Sequence, residues 1–334
     1  KHVMGGFTLP GDAPLGRLHV HLDAPIQFNA LLFIPSRAPA DMFMEDRKAL
    51  QLFAQRVMVM ESCDSLLPPY LRFFRGVVDS EDLPLNVSRE MLQEHTSLSA
   101  IRRQITRKAL GLLEEIAKED RDRYASIWRE FGTVIREGIH TDNGHRDQLA
   151  ELLRYTTASA PETPSSLADY VEAMPEGQDS IYYISGDTSG CLSQSPHLEA
   201  FRARGYDVLL MTDPVDEWVV QSLTEYKGKK LVSVTQDDVK PGEFDADADA
   251  VKALVARAKE ILGERVSDVR PSSRLHDSAS CLVDAAGGIS RNMERILRAA
   301  NRNVPAQTRI LELNTSHPFV VAAEGLAAKD PSSK

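Results

Sequence analysis

The 334-residue chain is too long for one ordinary hydrophobic core, so its length predicts two or three domains. Its 42% hydrophobic and 26% charged residues are typical of globular proteins, and its formal net charge of −10 argues against nonspecific binding to nucleic acid or to an anionic membrane. The apolar runs are too short to span a bilayer. Three widely spaced cysteines favour reduced thiols over a disulfide framework or a zinc site, so we expect a cytoplasmic protein.

The first part of the chain has the patterns of strands followed by helices. Alternating apolar and polar residues indicate a half-buried strand, with further strands after it and helical segments between and after them. From Ser97 to Lys118 apolar residues recur at helical spacing, with basic residues on the opposite side. A short helix is predicted through Trp128 and Phe131. The predicted strands are residues 17–23, 28–34 and 56–60.

In the second part, strands and helices alternate after a loop at residues 158–166 that is rich in Ser, Thr and Pro. This alternation predicts an α/β unit. An acidic stretch at 236–250 is the best candidate for a linker, and residues 251–262 have the composition of a helix. The predicted elements of the α/β unit are strands at 181–185, 208–211 and 230–234 and helices at 197–204 and 215–223.

Residues 79–93 have the most distinctive chemistry. An acidic turn and a proline are followed by Asn86 or Ser88, either of which can cap a helix that begins near Arg89. Arg89 is then presented at a helix N-terminus, where backbone N–H groups and a guanidinium together suit a phosphate oxygen. On local chemistry alone, a surface ion pair of Arg89 with Glu81 or Asp82 is the more common outcome.

Several other segments are equally distinctive, and with residues 79–93 they resemble one family in its own order: the heat-shock protein 90 chaperones, in particular the bacterial branch called high-temperature protein G. The resemblance covers roughly residues 25–325. The segments are Phe33-Ile34-Pro35, Ala38-Pro39-Ala40-Asp41-Met42-Phe43, Arg56-Val57-Met58-Val59-Met60, Leu67-Pro68-Pro69-Tyr70-Leu71-Arg72-Phe73, Gly76 to Gln93, Glu172-Ala173-Met174-Pro175-Glu176-Gly177-Gln178, Ile181-Tyr182-Tyr183-Ile184, Ser195-Pro196-His197-Leu198-Glu199 and Asp216-Glu217-Trp218.

The resemblance implies an α/β fold with a middle domain and a C-terminal domain. The middle domain would be layered α-β-α, in two parts joined by a helical segment, and the C-terminal domain would be a smaller α+β unit. The expected boundaries are 1–146 for the large subdomain with its helical connector, 147–234 for the small subdomain, 235–250 for the linker and 251–334 for the C-terminal domain, truncated before its dimerisation helices.

The resemblance also implies a role in ATP hydrolysis. In the family, ATP and Mg bind an N-terminal domain with a glycine-rich lid, and none of its motifs occurs here. The chain would therefore be a fragment that lacks a complete active site and holds no cofactor itself. Arg89 would reach the γ-phosphate in the closed state and stabilise it as an arginine finger does, with Asn86 and Gln93 beside it in the same loop.

A second implied role is binding of unfolded or partly folded client proteins, as part of a stress response. By pattern alone, Trp218 and the apolar stripe of 289–297 are core positions, although Met and aliphatic residues also make adaptable binding surfaces. The loop at 41–44 is a further candidate, expected between a strand and a helix. The implied client-binding residues are Glu217, Trp218, Gln221, Ile289, Met293, Ile296, Leu297, Met42 and Met44.

The resemblance further implies two partners within the whole protein: its own N-terminal ATPase domain and a second copy, since family members are homodimers. Their dimerisation helices would follow residue 334. We therefore expect the chain by itself to be monomeric, because nothing after residue 265 supplies a replacement apolar stripe except 289–297. No nucleic acid or membrane partner is expected.

An alternative is a free-standing enzyme, either a metal-dependent hydrolase or a phosphate-processing enzyme that uses Arg89. His19 and His21 project to one side of a strand and Asp23 follows, as in some metal sites. No further His and carboxylate cluster completes such a site, and short motifs often match by chance, so no metal site is predicted.

Overall fold

The computed structural model describes residues 13–85, 96–239, 247–285, 287–300, 302 and 307–330. They form two compact units that divide between Arg154 and Tyr155. Each unit combines sheets with helices, so the prediction of an α/β fold is confirmed. The finer division into subdomains and linker stays a prediction.

The first unit contains a five-stranded sheet. Its order is β1-β2-β5-β3-β4, with β3 parallel to β5 and the other neighbours antiparallel. The alternation of exposed Arg17 and His19 with buried Val20 in β1 confirms the first predicted strand. The strands are β1 (Gly16–Leu22), β2 (Phe28–Ile34), β3 (Leu50–Ala54), β4 (Val57–Cys63) and β5 (Arg75–Ser80).

The helical segment expected between β2 and β4 is wrong. Residues 35–49 form turns and irregular chain, and the next regular element is β3. Pro35 and Pro39 remove backbone donors from this stretch, and the buried Leu50 and Leu52 alternate with half-buried side chains as a strand requires.

Three α-helices lie in the described part of the first unit: α1 (Thr96–Glu119), α2 (Arg121–Thr141) and α3 (Arg146–Leu152). The predicted helix from Ser97 to Lys118 is confirmed as α1. The short helix expected at Trp128 and Phe131 is instead the 21-residue α2. Asp120 starts it by accepting a hydrogen bond from the Arg123 amide at 3.0 Å, and the Phe131 ring stacks on Phe73 with 4.5 Å between ring centres.

The second unit begins with a six-stranded sheet in the order β10-β11-β8-β9-β6-β7. Strands β8, β9 and β11 are parallel neighbours, whereas β6 and β10 are antiparallel to theirs. The alternation predicted here is confirmed. The strands are β6 (Arg154–Thr157), β7 (Ser165–Ser166), β8 (Ser180–Ser185), β9 (Leu209–Met211), β10 (Glu225–Tyr226) and β11 (Lys229–Ser233), and the helices are α4 (Leu167–Glu172), α5 (Ser189–Ser193), α6 (Glu199–Ala203) and α7 (Asp216–Ser222).

A three-stranded sheet and three α-helices make up the other described elements of the second unit. The strand order is β12-β14-β13, with β12 parallel and β13 antiparallel to β14. Helix α8 confirms the helix predicted at 251–262. The elements are α8 (Lys252–Leu262), β12 (Val266–Pro271), β13 (Ser280–Val283), α9 (Arg291–Ala299), β14 (Arg309–Leu313) and α10 (Pro318–Lys329).

The predicted acidic linker is described only at its two ends, because residues 240–246 lie outside the described part of the chain. Its first residues are held by backbone hydrogen bonds. The Asp237 amide donates to the Asp284 carbonyl at 3.0 Å, and the Asp284 amide donates to the Thr235 carbonyl at 2.9 Å. This pair of bonds ties the end of the α/β part to the chain that follows β13.

Candidate functional site

The segment predicted to contact ATP is described only where it leaves the sheet. Strand β5 ends at Ser80, whose Oγ donates to the Gln27 carbonyl at 2.6 Å. Asp82 Oδ2 accepts from the Gln27 amide at 2.7 Å. These bonds anchor the chain just before the segment. The predicted contact residues lie outside the described part: Asn86, Arg89 and Gln93.

The loop at 41–44 exposes one of its two predicted residues, Met44, and also Phe43. Met42 is buried at 3% exposure, so it is corrected from a client-facing residue to a core residue in this structure. Phe43 and Met44 are 69% and 56% exposed. The loop is fastened from beneath by Asp41, which accepts from the Lys48 amide at 2.7 Å and pairs with Arg75 at 3.1 Å. Phe43 and Met44 are therefore exposed on a loop that the Asp41 contacts hold in place.

Arg72 supports the same loop. Its Nε donates to the Met42 carbonyl at 3.2 Å, and its guanidinium carbon lies 5.1 Å from the centre of the Phe43 ring. The guanidinium also makes two bonds to Glu137 in α2, at 2.5 and 2.8 Å. Sequence reasoning passed over Phe43, although its position between two methionines is a visible signal.

One carboxylate joins α7 to the start of α9. Glu217 Oε1 accepts from Ser185 Oγ at 2.6 Å and from Asn292 Nδ2 at 3.0 Å. Its Oε2 accepts from Ser290 Oγ at 2.9 Å, and the same Ser290 Oγ accepts from the Met293 amide at 2.9 Å as the cap of α9. The negative charge lies at the N-terminus of α9, where the helix dipole favours it.

The residues predicted to bind clients in this unit differ in exposure. Glu217 and Met293 are buried, at 4% and 5% exposure, so neither is open to a partner in this structure. Glu217 is enclosed by its bonds to the start of α9. Gln221 is exposed. The other predicted residues are apolar and half-buried: Trp218, Ile289, Ile296 and Leu297.

Helix α9 is also attached along its length. Buried Glu294 accepts from Arg309 of β14 at 2.9 Å and pairs with Arg298 at 2.6 Å. Arg295 forms an ion pair with Asp187. The helix is therefore held to the three-stranded sheet through Glu294 and to the α/β part through Asp187 and Glu217.

A buried cluster of charges lies beneath this region. Arg274 is 1% exposed and donates to the carbonyls of Val234 and Gln236, each at 3.1 Å. Its Nε lies 3.0 Å from Glu312 Oε2 without the geometry of a hydrogen bond, so the two form an ion pair. Glu312 also accepts from Arg270 Nη2 at 2.6 Å and from Ser272 Oγ at 2.8 Å. Glu312 thus pairs with two guanidinium groups, and Arg270 has a second carboxylate partner in Asp237.

Comparison with known proteins decides the family. The family model described as Hsp90 protein matches residues 7–334. The chain belongs to the Hsp90 family.

Curated relatives agree with this assignment. A relative from Geobacter sulfurreducens, named Chaperone protein HtpG, is 47% identical over 345 positions, which cover 100% of this chain and 52% of the relative. Relatives of the same name from Geobacter metallireducens and Myxococcus xanthus are 45% and 44% identical with the same coverage. The chain therefore spans about half the length of the curated Hsp90 relatives that it matches.

Among the described residues of this Hsp90 chain, nothing supports the hydrolase alternative. His21 Nδ1 lies 2.7 Å from Asn29 Oδ1, and its Nε2 lies 3.3 Å from Asp23. Among the described residues, no group of three His, Cys, Asp or Glu side chains is arranged to hold a metal ion. Within the same residues, no helix has both the length and the apolar character needed to cross a membrane.

Helix α10 is a further surface of this Hsp90 chain that sequence reasoning missed. Phe319, Val321 and Leu326 are 70%, 53% and 66% exposed, whereas Val320 is buried against α8. The run from Phe319 to Ala323 is apolar at every position, and this could have indicated a helix with two apolar faces. The expectation that 289–297 is the one apolar stripe after residue 265 is therefore wrong.

The buried cluster predicts a pH dependence of stability. His197 Nδ1 is buried with no partner among the described residues, and burial, followed by repulsion from Arg274, lowers the pKa of His197 to about 4. The unfolded chain binds this proton below its ordinary pKa of 6.5, but the folded chain does so only near 4. The free energy of unfolding should therefore be greatest above pH 6.5 and fall between 6.5 and 4.

Urea unfolding at several pH values tests this prediction. His197→Gln should flatten the slope between pH 4 and 6.5, because glutamine does not titrate. His19→Gln, at an exposed position of β1, is the control for replacing a histidine with glutamine. Parallel curves for the His197 variant and the unaltered chain would contradict the prediction.

Proposed function

We propose that this chain is the middle and partial C-terminal region of an ATP-dependent molecular chaperone and that its second unit binds partly unfolded client proteins. Membership of the Hsp90 family supports the chaperone class. The observation that carries the client role is the Glu217 contact, because it brings together two candidate segments that are 75 positions apart in sequence. The proposal needs no active site within the chain.

The chemistry of the two segments suits a partly unfolded protein. Such a partner exposes apolar side chains. The half-buried Trp218, Ile296 and Leu297 offer it apolar contact area without forming a large exposed apolar patch. The exposed Gln221 and Arg298 supply polar groups at the edge. An apolar centre with a polar rim is the usual anatomy of an interface.

Trp218→Arg should weaken client binding about tenfold, because large aromatic side chains often dominate interface energies and arginine places a charge in an apolar contact. The measurement is fluorescence anisotropy of a labelled, permanently unfolded probe such as reduced carboxymethylated α-lactalbumin. Val57→Arg, which changes a 53% exposed apolar residue of the first unit, is the matched control. An equal loss of probe affinity in both variants, or no loss of affinity in a folded Trp218 variant, would contradict the proposed site.

The ATP-dependent step belongs to the proposal for the whole protein. ATP and Mg would be bound by the N-terminal domain, and Arg89 would supply positive charge to the γ-phosphate when that domain closes. Asn86 and Gln93 are proposed neighbours of this contact. The family assignment of residues 7–334 supports this part of the proposal.

The chain taken by itself should be monomeric at micromolar concentration. A stable interface buries more than about 1,000 Å², and α10 exposes only three large apolar side chains, Phe319, Val321 and Leu326, which do not share one face. Multi-angle light scattering over a range of concentrations measures this. A dimer that persists on dilution, but is lost in Phe319→Ser with Leu326→Ser, would show that α10 is an interface.

A further inference from the structure

We propose that Glu217 serves the client surface by positioning α9 against α7 rather than by touching a client. This inference rests on the proposed client-binding function, but the contact itself can be tested without a client.

Burial and hydrogen bonding leave Glu217 no room for a direct role. The side chain is 4% exposed, and its two oxygens accept three bonds from Ser185, Ser290 and Asn292. A client group could reach the carboxylate only by displacing these donors. Breaking a bond to a buried charge is unfavourable because the charge would lose a partner that water does not replace.

The same bonds fix where α9 begins. Ser290 Oγ donates its hydrogen to Glu217 and accepts from the Met293 amide, so the helix cap and the carboxylate share one hydroxyl. Asn292 donates to Glu217 through Nδ2 and accepts from Arg295 through Oδ1 at 2.8 Å. The first turn of α9 is therefore oriented by a residue of α7.

Loss of this contact should not unfold the helix. Glu294 still binds Arg309 at 2.9 Å, which holds the middle of α9 to β14. What depends on Glu217 is the first turn and its distance from Trp218. The expected consequence is a looser first turn and a client surface whose two halves are no longer fixed to each other.

Hydrogen exchange of the 334-residue chain, without client, tests the contact. Glu217→Gln and Asn292→Ala should each speed amide exchange at the start of α9 about tenfold, as expected for losing a hydrogen bond to a charged group. The double variant should exchange no faster than the faster single variant, because both changes remove one interaction. Lys230→Ala, at an exposed position of β11 in the same unit, is the control, and peptides of β1 and β2 are the internal reference.

A reciprocal exchange of groups provides the rescue. In Glu217→Gln combined with Asn292→Asp, the amide and the carboxylate change places, so a hydrogen bond between the two side chains can form again. This pair should recover most of the exchange protection and most of the client affinity. A residue that only touched the client would show no recovery when Asn292 is changed.

Client affinity of the same variants tests whether the contact between Glu217 and α9 matters for client binding. Glu217→Gln and Asn292→Ala should both weaken binding of the unfolded probe, by similar several-fold factors. The proposal is overturned if Glu217→Gln weakens binding while α9 exchange and the Asn292→Ala affinity stay unchanged, since Glu217 would then contact the client. If the unaltered chain binds no client, the proposed function fails and the positioning role fails with it, whereas the exchange data still decide whether Glu217 joins the two helices.

Discussion

Arg89→Ala should lower ATP turnover about tenfold or more in the whole protein, because one preorganised charge on the transferring phosphate contributes several kcal/mol to the transition state. The effect should appear in kcat, since Arg89 is proposed to reach the γ-phosphate only in the closed state. ATP affinity should change little, because the nucleotide pocket is proposed to lie in the N-terminal domain.

Steady-state turnover and ATP binding by calorimetry measure these two quantities separately. Arg107→Ala is the control, since Arg107 is an exposed arginine of α1 that bonds Gln104 at 2.6 Å. The 334-residue chain alone should hydrolyse no ATP above background. Unchanged turnover in a folded Arg89 variant, or tight stoichiometric ATP binding by the chain alone, would contradict this part of the account.

Glu312→Ala should cost the second unit about 3 to 5 kcal/mol of unfolding free energy, because removing one partner of a buried ion pair leaves uncompensated charge. Glu312 is 2% exposed and pairs with both Arg270 and Arg274. Arg274 also holds the carbonyls of Val234 and Gln236, so its displacement would loosen the connection to the α/β part.

Tryptophan fluorescence separates this effect from changes in the first unit. The chain has two tryptophans, Trp128 in α2 and Trp218 in α7, so Trp128→Phe leaves a reporter of the second unit alone. In that background, Glu312→Ala should move the urea midpoint strongly. The control is Asp268→Asn, which removes an ion pair with Lys259 whose side chains are 49% and 45% exposed, and it should cost less than about 1 kcal/mol. Equal shifts for the two variants would contradict the buried-charge argument.

Much of the fold follows from local patterns. The alternation of β1 and the helical spacing of α1 predict both elements, because each pattern spans enough residues to determine which face is buried. The length of α2 was underestimated, since its buried side is wide and includes Gly132 and Gly138, which give no apolar signal. Strand β3 was missed because five residues at the end of an irregular stretch carry little periodicity.

The candidate site was less predictable for a physical reason. Apolar spacing correctly indicates a helix near 291–299, but burial of its side chains depends on tertiary partners that spacing does not contain. Met42 and Met44 are equally apolar, yet Met42 is buried and Met44 is exposed. Glu217 would pass for a surface residue in sequence, and only the donors Ser185, Ser290 and Asn292 explain its burial.

Site-specific photo-crosslinking to an unfolded client tests the central claim most directly. A photoreactive side chain is placed in the chain at Gln221 or Leu297, and at the exposed apolar references Val57 and Leu282. The account predicts that crosslinks to the client form mainly at Gln221 and Leu297 and that Trp218→Arg reduces them. Crosslinks that are equally strong at Val57 and Leu282, and that are unaffected by Trp218→Arg, would contradict a client surface formed by α7 and α9.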